Sequence, residues 1–420
     1  GGPDHRFRAR HRASDTSAAR MKRRTFIGSL LATSITGLAQ ARKPDRPRIA
    51  VVGAGAFGGW TALHLLRSGA RVTLVDAWGP GHSRASSGGE TRVIRFAYRS
   101  RIYVDMARRS AALWRKASES WSQPLFTPSG VLFLYQKGPG SAFIEDARAH
   151  LADAGIDQER LSADQLGIRY PQIDLDNIAG GLYEPGAGYL LARRACQAVV
   201  EAFVREGGEY RVAAVRPGSV NGQTMTAIRL SNGDRLAADQ YVFACGPWLG
   251  ALFPDVLSDV LTVSRQEVFY FGLPEGDRRY AAPDLPVWAD FGERLWYGIP
   301  GAERRGFKIA DDTRGPPLDP TNADRTASRA GAAAAMAYVA RRFPGMRGAP
   351  LIEARVCQYT NTRDGDFIVD RHPAADNVWI AGGGSGHGFK HGPALGEMLA
   401  EQVLGLRDRK PVFGLGRFHG

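Results

Sequence analysis

The stretch RIAVVGAGAFGGWTALHLLRSGARVTLVDA, Arg48–Ala77, reads as strand, glycine turn, helix and second strand. Ile49–Val52 is a short apolar, largely β-branched run, and Gly53, Gly55 and Gly58 complete a G-x-G-x-x-G pattern. A helix is predicted over Trp60–Arg67, with Gly69 as its stop signal. The second strand, RVTLVD, ends in Asp76, eighteen residues after Gly58. Glycines at this spacing let a backbone approach a pyrophosphate at a helix N-terminus, and a terminal carboxylate can accept from a ribose diol. A lone glycine pattern is weak evidence, but the whole unit in this order is the dinucleotide fingerprint.

The far end of the chain repeats the logic. NVWIAGGGSGHGFKHGPALGEMLAEQVLG, Asn377–Gly405, reads as strand, glycine-rich turn and helix, with the helix over Pro393–Leu404. Its N-terminus carries about half a positive charge toward whatever lies over the turn. Two such units at opposite ends suit a large cofactor held along its length. FAD fits better than NAD, because an isoalloxazine must be fixed while a nicotinamide exchanges.

Between them the chain is mixed. GVLFLY (Gly130–Tyr135) reads as a strand, Ser141–Ala154 as a helix, and LARRACQAVVEAFVREGG as an amphipathic helix ended by glycine. TMTAIRLSNGDRLAADQYVFACGPW reads as a hairpin with an Asn-Gly turn, then a strand running into Gly246. Strands dominate from Thr262 to Lys308, and an alanine-rich helix is predicted over Thr326–Phe343.

At 420 residues and 44% hydrophobic, the chain can bury a large core in two or three domains. No run of eighteen apolar residues marks a spanning helix. The net charge of +13 is uneven: residues 1–41 carry +6 of it, and the rest is scattered arginine. That pattern is a solvated basic surface rather than a nucleic-acid site.

MKRRTFIGSLLATSITGLAQA, Met21–Ala41, has a basic head, an apolar stretch and a small-residue cleavage site, and its Arg23-Arg24 pair resembles a twin-arginine signal. Periplasmic or other export is the expectation, with residues 1–20 a polar leader and Met21 a natural start. Three cysteines cannot all pair internally. Cys196 and Cys245 read as buried small hydrophobes; Cys357 is left as core residue, disulfide partner, nucleophile or attachment point.

On GGETRVIRFAY (Gly88–Tyr98), CGPW (Cys245–Trp248), CQYTNTRDGDFIVDRHP (from Cys357) and GSGHGFK (Gly384–Lys390), the chain resembles the monomeric sarcosine oxidase and N-methyltryptophan oxidase group of the D-amino-acid-oxidase superfamily. The similarity runs from about Arg48 to Leu406. It implies an α/β fold with an α+β substrate part: a Rossmann-like FAD domain (42–125, 186–255 and 355–410) interleaved with a mostly antiparallel-sheet substrate domain (126–185 and 256–354).

The resemblance also implies roles. Cys357 would carry the flavin through a thioether to its 8α carbon, and Lys308 would stand beside the flavin N5 and activate dioxygen. Lys390 and Arg95 would clamp the substrate carboxylate, Arg92 would lie against the flavin ring, and Tyr297 would line the substrate pocket. The matching segments place Ser86, Trp248, Tyr359, Gly384, Gly386, Gly388 and Phe389 at the cofactor, with Gly386 also facing substrate. Two departures bear on substrate. Asp312 stands where the sarcosine enzymes carry a histidine, and Ser87-Gly88 replaces a histidine pair. An inward-facing aspartate would favour a cationic or larger amino acid. His387 and His391 lie four apart, but a third metal ligand is lacking, so no metal is expected.

The reading is oxidation of a secondary or primary amine of an amino acid to an imine by a monomer, with dioxygen reduced to hydrogen peroxide. One rival is a periplasmic dehydrogenase that passes electrons to a quinone or protein. Another is a protein that retains FAD without turnover. Neither nucleic acid nor a membrane is expected as a partner.

Overall fold

The computed structural model describes residues 46–418, so the leader and export-signal expectations on 1–41 lie outside the described residues. Ile49, Ala50, Val51 and Val52 are all buried, as a strand covered on both faces requires. Arg48–Val52 pairs in parallel with Arg71–Asp76 on one side and with Gln240–Phe243 on the other. Glu209–Val212 and Ala375–Gly382 extend the sheet in parallel, and Ile368–His372 closes one edge antiparallel. Both glycine turns therefore leave the same end of one six-stranded sheet.

The helix after the first turn spans Ala56–Arg67, beginning four residues earlier than the sequence suggests. Two glycines in its first turn lower helix propensity, but tight packing against the turn overrides that penalty. Trp60, Ala62, Leu63 and Leu65 are buried from this helix. The helix after the second turn, Gly392–Val403, crosses it closely. A Cβ at Gly396 would stand 2.8 Å from the Thr61 nitrogen, so only glycine fits the crossing.

The second sheet has eight strands, in the order Leu351–Asn361, Thr262–Phe271, Phe307–Asp311, Leu295–Ile299, Val287–Phe291, Val131–Tyr135, Gly180–Glu184 and Glu159–Ser162. Only the Val287–Phe291 and Val131–Tyr135 pair is parallel. Leu351–Asn361 forms one edge ladder with Thr262–Phe271, which puts Cys357 opposite Gln266. The ladder continues through residue 355, where the sequence division has the cofactor part resume. A small third sheet of Thr91–Ile94, Gly188–Leu191 and Phe126–Thr127 carries Arg92.

Arg101–Ser120 is a 20-residue helix that the sequence reading does not anticipate. Its buried residues are Tyr103, Val104, Met106, Ala107, Ser110, Ala111, Trp114 and Ala117. Apolar and small residues recur along one face while Arg101, Arg108, Arg109, Arg115 and Lys116 are exposed, so the segment is clearly amphipathic. Among the described residues, no helix is long and apolar enough to cross a membrane.

Beneath the larger sheet, Asp290 and Arg342 form a buried ion pair at 2.9 Å with side chains 3% and 1% exposed. The Tyr338 hydroxyl donates to the same carboxylate oxygen at 2.6 Å. Breaking a buried pair strands a charge, which costs more than the pair contributes when intact. Asp290→Ala should lower unfolding stability by about 3–5 kcal/mol in a denaturant titration. Asp290→Ala combined with Arg342→Met should recover most of that loss.

Candidate active site

A cavity of about 280 Å³ opens where the two glycine turns meet. At the first turn Gly53 has φ +105°, and a Cβ there would lie 2.4 Å from the Ala244 carbonyl oxygen. Gly58 does not line the cavity. It sits beneath the turn, where a Cβ would fall 1.9 Å from the Gly53 oxygen. Ser87, which sequence reading noted only as a departure, accepts the Ala56 N–H at 3.1 Å and supports the helix start. Asp76 lines the same cavity, with its carboxylate accepting N–H groups from Ala54 at 2.7 Å, Trp78 at 2.9 Å and Gly79 at 2.8 Å. An ionised carboxylate has about four acceptor positions, so room remains for one more donor.

Trp248 lines this end too, its ring 4.9 Å from that of Trp78 and its indole N–H donating to Thr321 at 2.9 Å. Thr321 belongs to the long segment 312–328, which straps along the cavity side. Arg325 in the strap donates to the Gln358 side chain, and Arg84 donates to the Thr321 carbonyl. Cys245 also forms part of the wall rather than of the core, unlike the expectation from sequence. Cys196 is buried, and burial pushes its thiol up to about 12. All three cysteines are free.

At the other end, Ser86, Arg92, Cys357, Tyr359, Gly384, Gly386, Gly388 and Phe389 line the cavity together. Gly386 has φ +82°, and its missing side chain leaves space for the Tyr359 ring. An Arg92 Nη lies 3.8 Å from the Cys357 sulfur. The Thr91 carbonyl accepts from Arg92 at 2.8 Å and from Lys308 Nζ at 2.8 Å. Two cations thus converge on one oxygen. Burial and the Arg92 charge hold the Lys308 ammonium well below its usual range.

A second group lies just beyond. Lys390 Nζ donates to the Tyr98 hydroxyl at 3.0 Å and to the His387 carbonyl at 2.7 Å. The Arg95 guanidinium lies 4.1 Å over the Tyr98 ring. Burial first, then Arg95, depresses Lys390 strongly. Asp312 accepts from the Tyr359 hydroxyl at 2.7 Å, and burial raises both groups above their ordinary values. Tyr297 stands with them, its ring centroid 5.9 Å from Lys308 Nζ. His387 and His391 both reach the Tyr98 hydroxyl, at 3.4 and 2.9 Å, instead of facing one another as ligands. Tyr98 as hub, and Glu184 behind it, are absent from the sequence list of site residues. The glycine-rich turn gives no sign of them, although Tyr98 closes the GGETRVIRFAY match.

The residues fit FAD: glycines clear both turns, a terminal carboxylate keeps a free acceptor position, and two cations stand at the ring end. Residues 48–402 match the model for FAD dependent oxidoreductases, and the chain belongs to that family. Among its relatives is a monomeric sarcosine oxidase from Bacillus sp., 31% identical over 85% of this chain and 92% of that protein. The N-methyl-L-tryptophan oxidase of Salmonella arizonae is 29% identical over 88% of this chain and 96% of its own length. A fructosyl peptide oxidase from Aspergillus nidulans shares the fold, with TM-score 0.78 at 20% identity over 88% of this chain and 94% of its own. The protein is an FAD-dependent oxidoreductase.

Gly58→Ala should separate cradle from core. The variant is expected to purify without bound flavin, because the added methyl pushes on the Gly53 carbonyl and displaces the turn. Absorbance of the purified protein checks this. A variant as yellow as the wild type would contradict the packing argument.

Proposed function

We propose that this protein oxidises the amine of an amino acid or N-methyl amino acid to an imine, with dioxygen as the terminal oxidant. The observation that carries the reading is the division of four cations into two pairs, Arg92 with Lys308 and Arg95 with Lys390. FAD, when bound, would supply the acceptor for the two electrons that leave with the hydrogen of the C–H bond beside the nitrogen.

Arg95 and Lys390 hold the substrate carboxylate, the guanidinium offering a planar fork and the ammonium a point charge. Tyr98 fixes the distance between them by stacking under one and accepting from the other. Clamping the carboxylate leaves the amine to be oriented by the opposite wall, where Tyr297, Tyr359 and Asp312 stand. The half-buried Asp312 carboxylate supports a substrate larger than sarcosine, with a donor group or positive charge to spare. The amine reacts as its neutral form, since only then can its lone pair assist cleavage of the adjacent C–H bond.

Gly53, Gly55, Asp76, Ser86, Trp248 and Phe389 hold the cofactor along the cavity, and Cys357 is its covalent anchor. The sulfur lies on the cavity wall, 3.8 Å from an Arg92 Nη, at the end where the flavin ring would come. Lys308 brings its amine to the ring end, where its protonated form would stabilise the charge that develops as oxygen gains an electron. A monomer exported by the twin-arginine route is consistent with a cofactor enclosed by the fold before transport.

Two outcomes test this reading. Acid-precipitated wild-type protein should remain yellow, and Cys357→Ala protein should lose its colour in the same treatment. Lys308→Met should slow reoxidation by oxygen by about 10²–10³-fold in stopped-flow traces, while anaerobic reduction by substrate stays near the wild-type rate. Equal loss in both half-reactions would remove Lys308 from the oxygen step.

A further inference from the structure

Glu184 ends the strand Gly180–Glu184 and is completely buried, yet it has no part in the scheme above. Its Oε2 accepts the Phe96 N–H at 2.9 Å, whereas Oε1 has no hydrogen-bond partner. Phe96 directly follows Arg95, and Arg95 donates to the Ala97 carbonyl. Carboxylate and guanidinium therefore grip the same two-residue segment. An ionised carboxylate with an idle oxygen is tolerated in a dry site only where opposite charge faces it.

The positive charges that act on the Glu184 carboxylate are those of Arg95 and then Lys390, the two groups that Tyr98 holds together. Arg115 lies nearby but donates to the Gly186 carbonyl at 2.7 Å. His387 and His391, behind Tyr98, are held neutral at ordinary pH by burial. Burial raises Glu184 to about 7 against the pull of the Phe96 N–H, of Arg95, of the Ala97 N–H and of Lys390.

We propose that Glu184 is a positioning residue that balances the charge of the Arg95–Lys390 clamp and takes up one solvent proton when a substrate carboxylate settles there. This rests on reading Arg95 and Lys390 as that clamp. The bound carboxylate supplies the negative charge that Glu184 provided in the empty site. Glu184 then converts from carboxylate to carboxylic acid, and no bond to the substrate forms or breaks. A second anion raises the affinity of Glu184 for its proton. Binding is therefore tightest at low pH and weakens by about tenfold per pH unit above the free-site value, until the bound-state value is passed.

The test uses holoenzyme and acetate, a carboxylate that cannot be oxidised at nitrogen. Calorimetric titration at about pH 8, in two buffers of different ionisation enthalpy, counts protons taken up. Wild-type enzyme should take up close to one proton per acetate. E184Q, whose amide oxygen can still accept the Phe96 N–H, should take up close to none, and the pH dependence of its KM should flatten while kcat changes little. Full proton uptake in E184Q assigns the proton to Lys390 or elsewhere and overturns the proposal. Acetate affinity of the wild type that does not vary between about pH 6 and 9 overturns it without any variant. Arg95→Met distinguishes the two layers of the argument. If acetate binds that variant as tightly as wild type, the clamp itself is wrong. Weaker binding there, with uptake intact in E184Q, removes only the role of Glu184.

Discussion

The close crossing of Ala56–Arg67 and Gly392–Val403 constrains everything else in this molecule. The two helices begin more than three hundred residues apart in sequence, and each follows a strand and a glycine turn of the same six-stranded sheet. Because they touch at a glycine, their starts cannot separate, and the two turns that precede them must share one cavity. The ring end of that cavity is then left to residues from the second sheet and from the short Thr91–Ile94 strand. Position, in this fold, is inherited from a backbone contact that contains no catalytic group.

Electrostatics supplies the second constraint. Arg92, Lys308, Arg95 and Lys390 are gathered around two small anchors, the Thr91 carbonyl and the Tyr98 side chain. Gathering buried cations is unfavourable without anions nearby. The chain answers with few of its own: Glu184, with its idle oxygen, and Asp312, already engaged with Tyr359. The depressed values of both lysines express that imbalance. A site arranged this way is incomplete until anionic groups enter it, and a substrate carboxylate and an electron-rich ring are the kinds of group that would complete it.

How far the sequence exposes this depends on the range of the interaction. Gly53, Gly55, Gly58 and Asp76 are legible because strand, turn, helix and strand follow one another within thirty residues. The second turn is legible for the same reason. Lys308 and Cys357 sit on unremarkable strands and Arg95 just past the end of another, and only resemblance to a family marks them. The pairing of Leu351–Asn361 with the larger sheet was not legible, since ladder partners ninety residues away leave no local signature. Arg101–Ser120 carries an amphipathic pattern that was legible, with Tyr103, Val104, Met106 and Trp114 on its buried face, and the sequence reading passed over it. Glu184 was invisible for a deeper reason: a glutamate ending a strand is ordinary, and only the tertiary fold buries it beside two cations.

Cys357 belongs to an edge strand of the eight-stranded sheet, while the glycine cradle belongs to the six-stranded one. A cofactor cradled in the first and anchored at the proposed attachment point in the second becomes a tie rod between two separately built layers. Its loss would then be a mechanical event for the whole chain rather than a simple dissociation. Neither sheet could swing away from the other without drawing the ligand out of its groove or dragging the edge strand along.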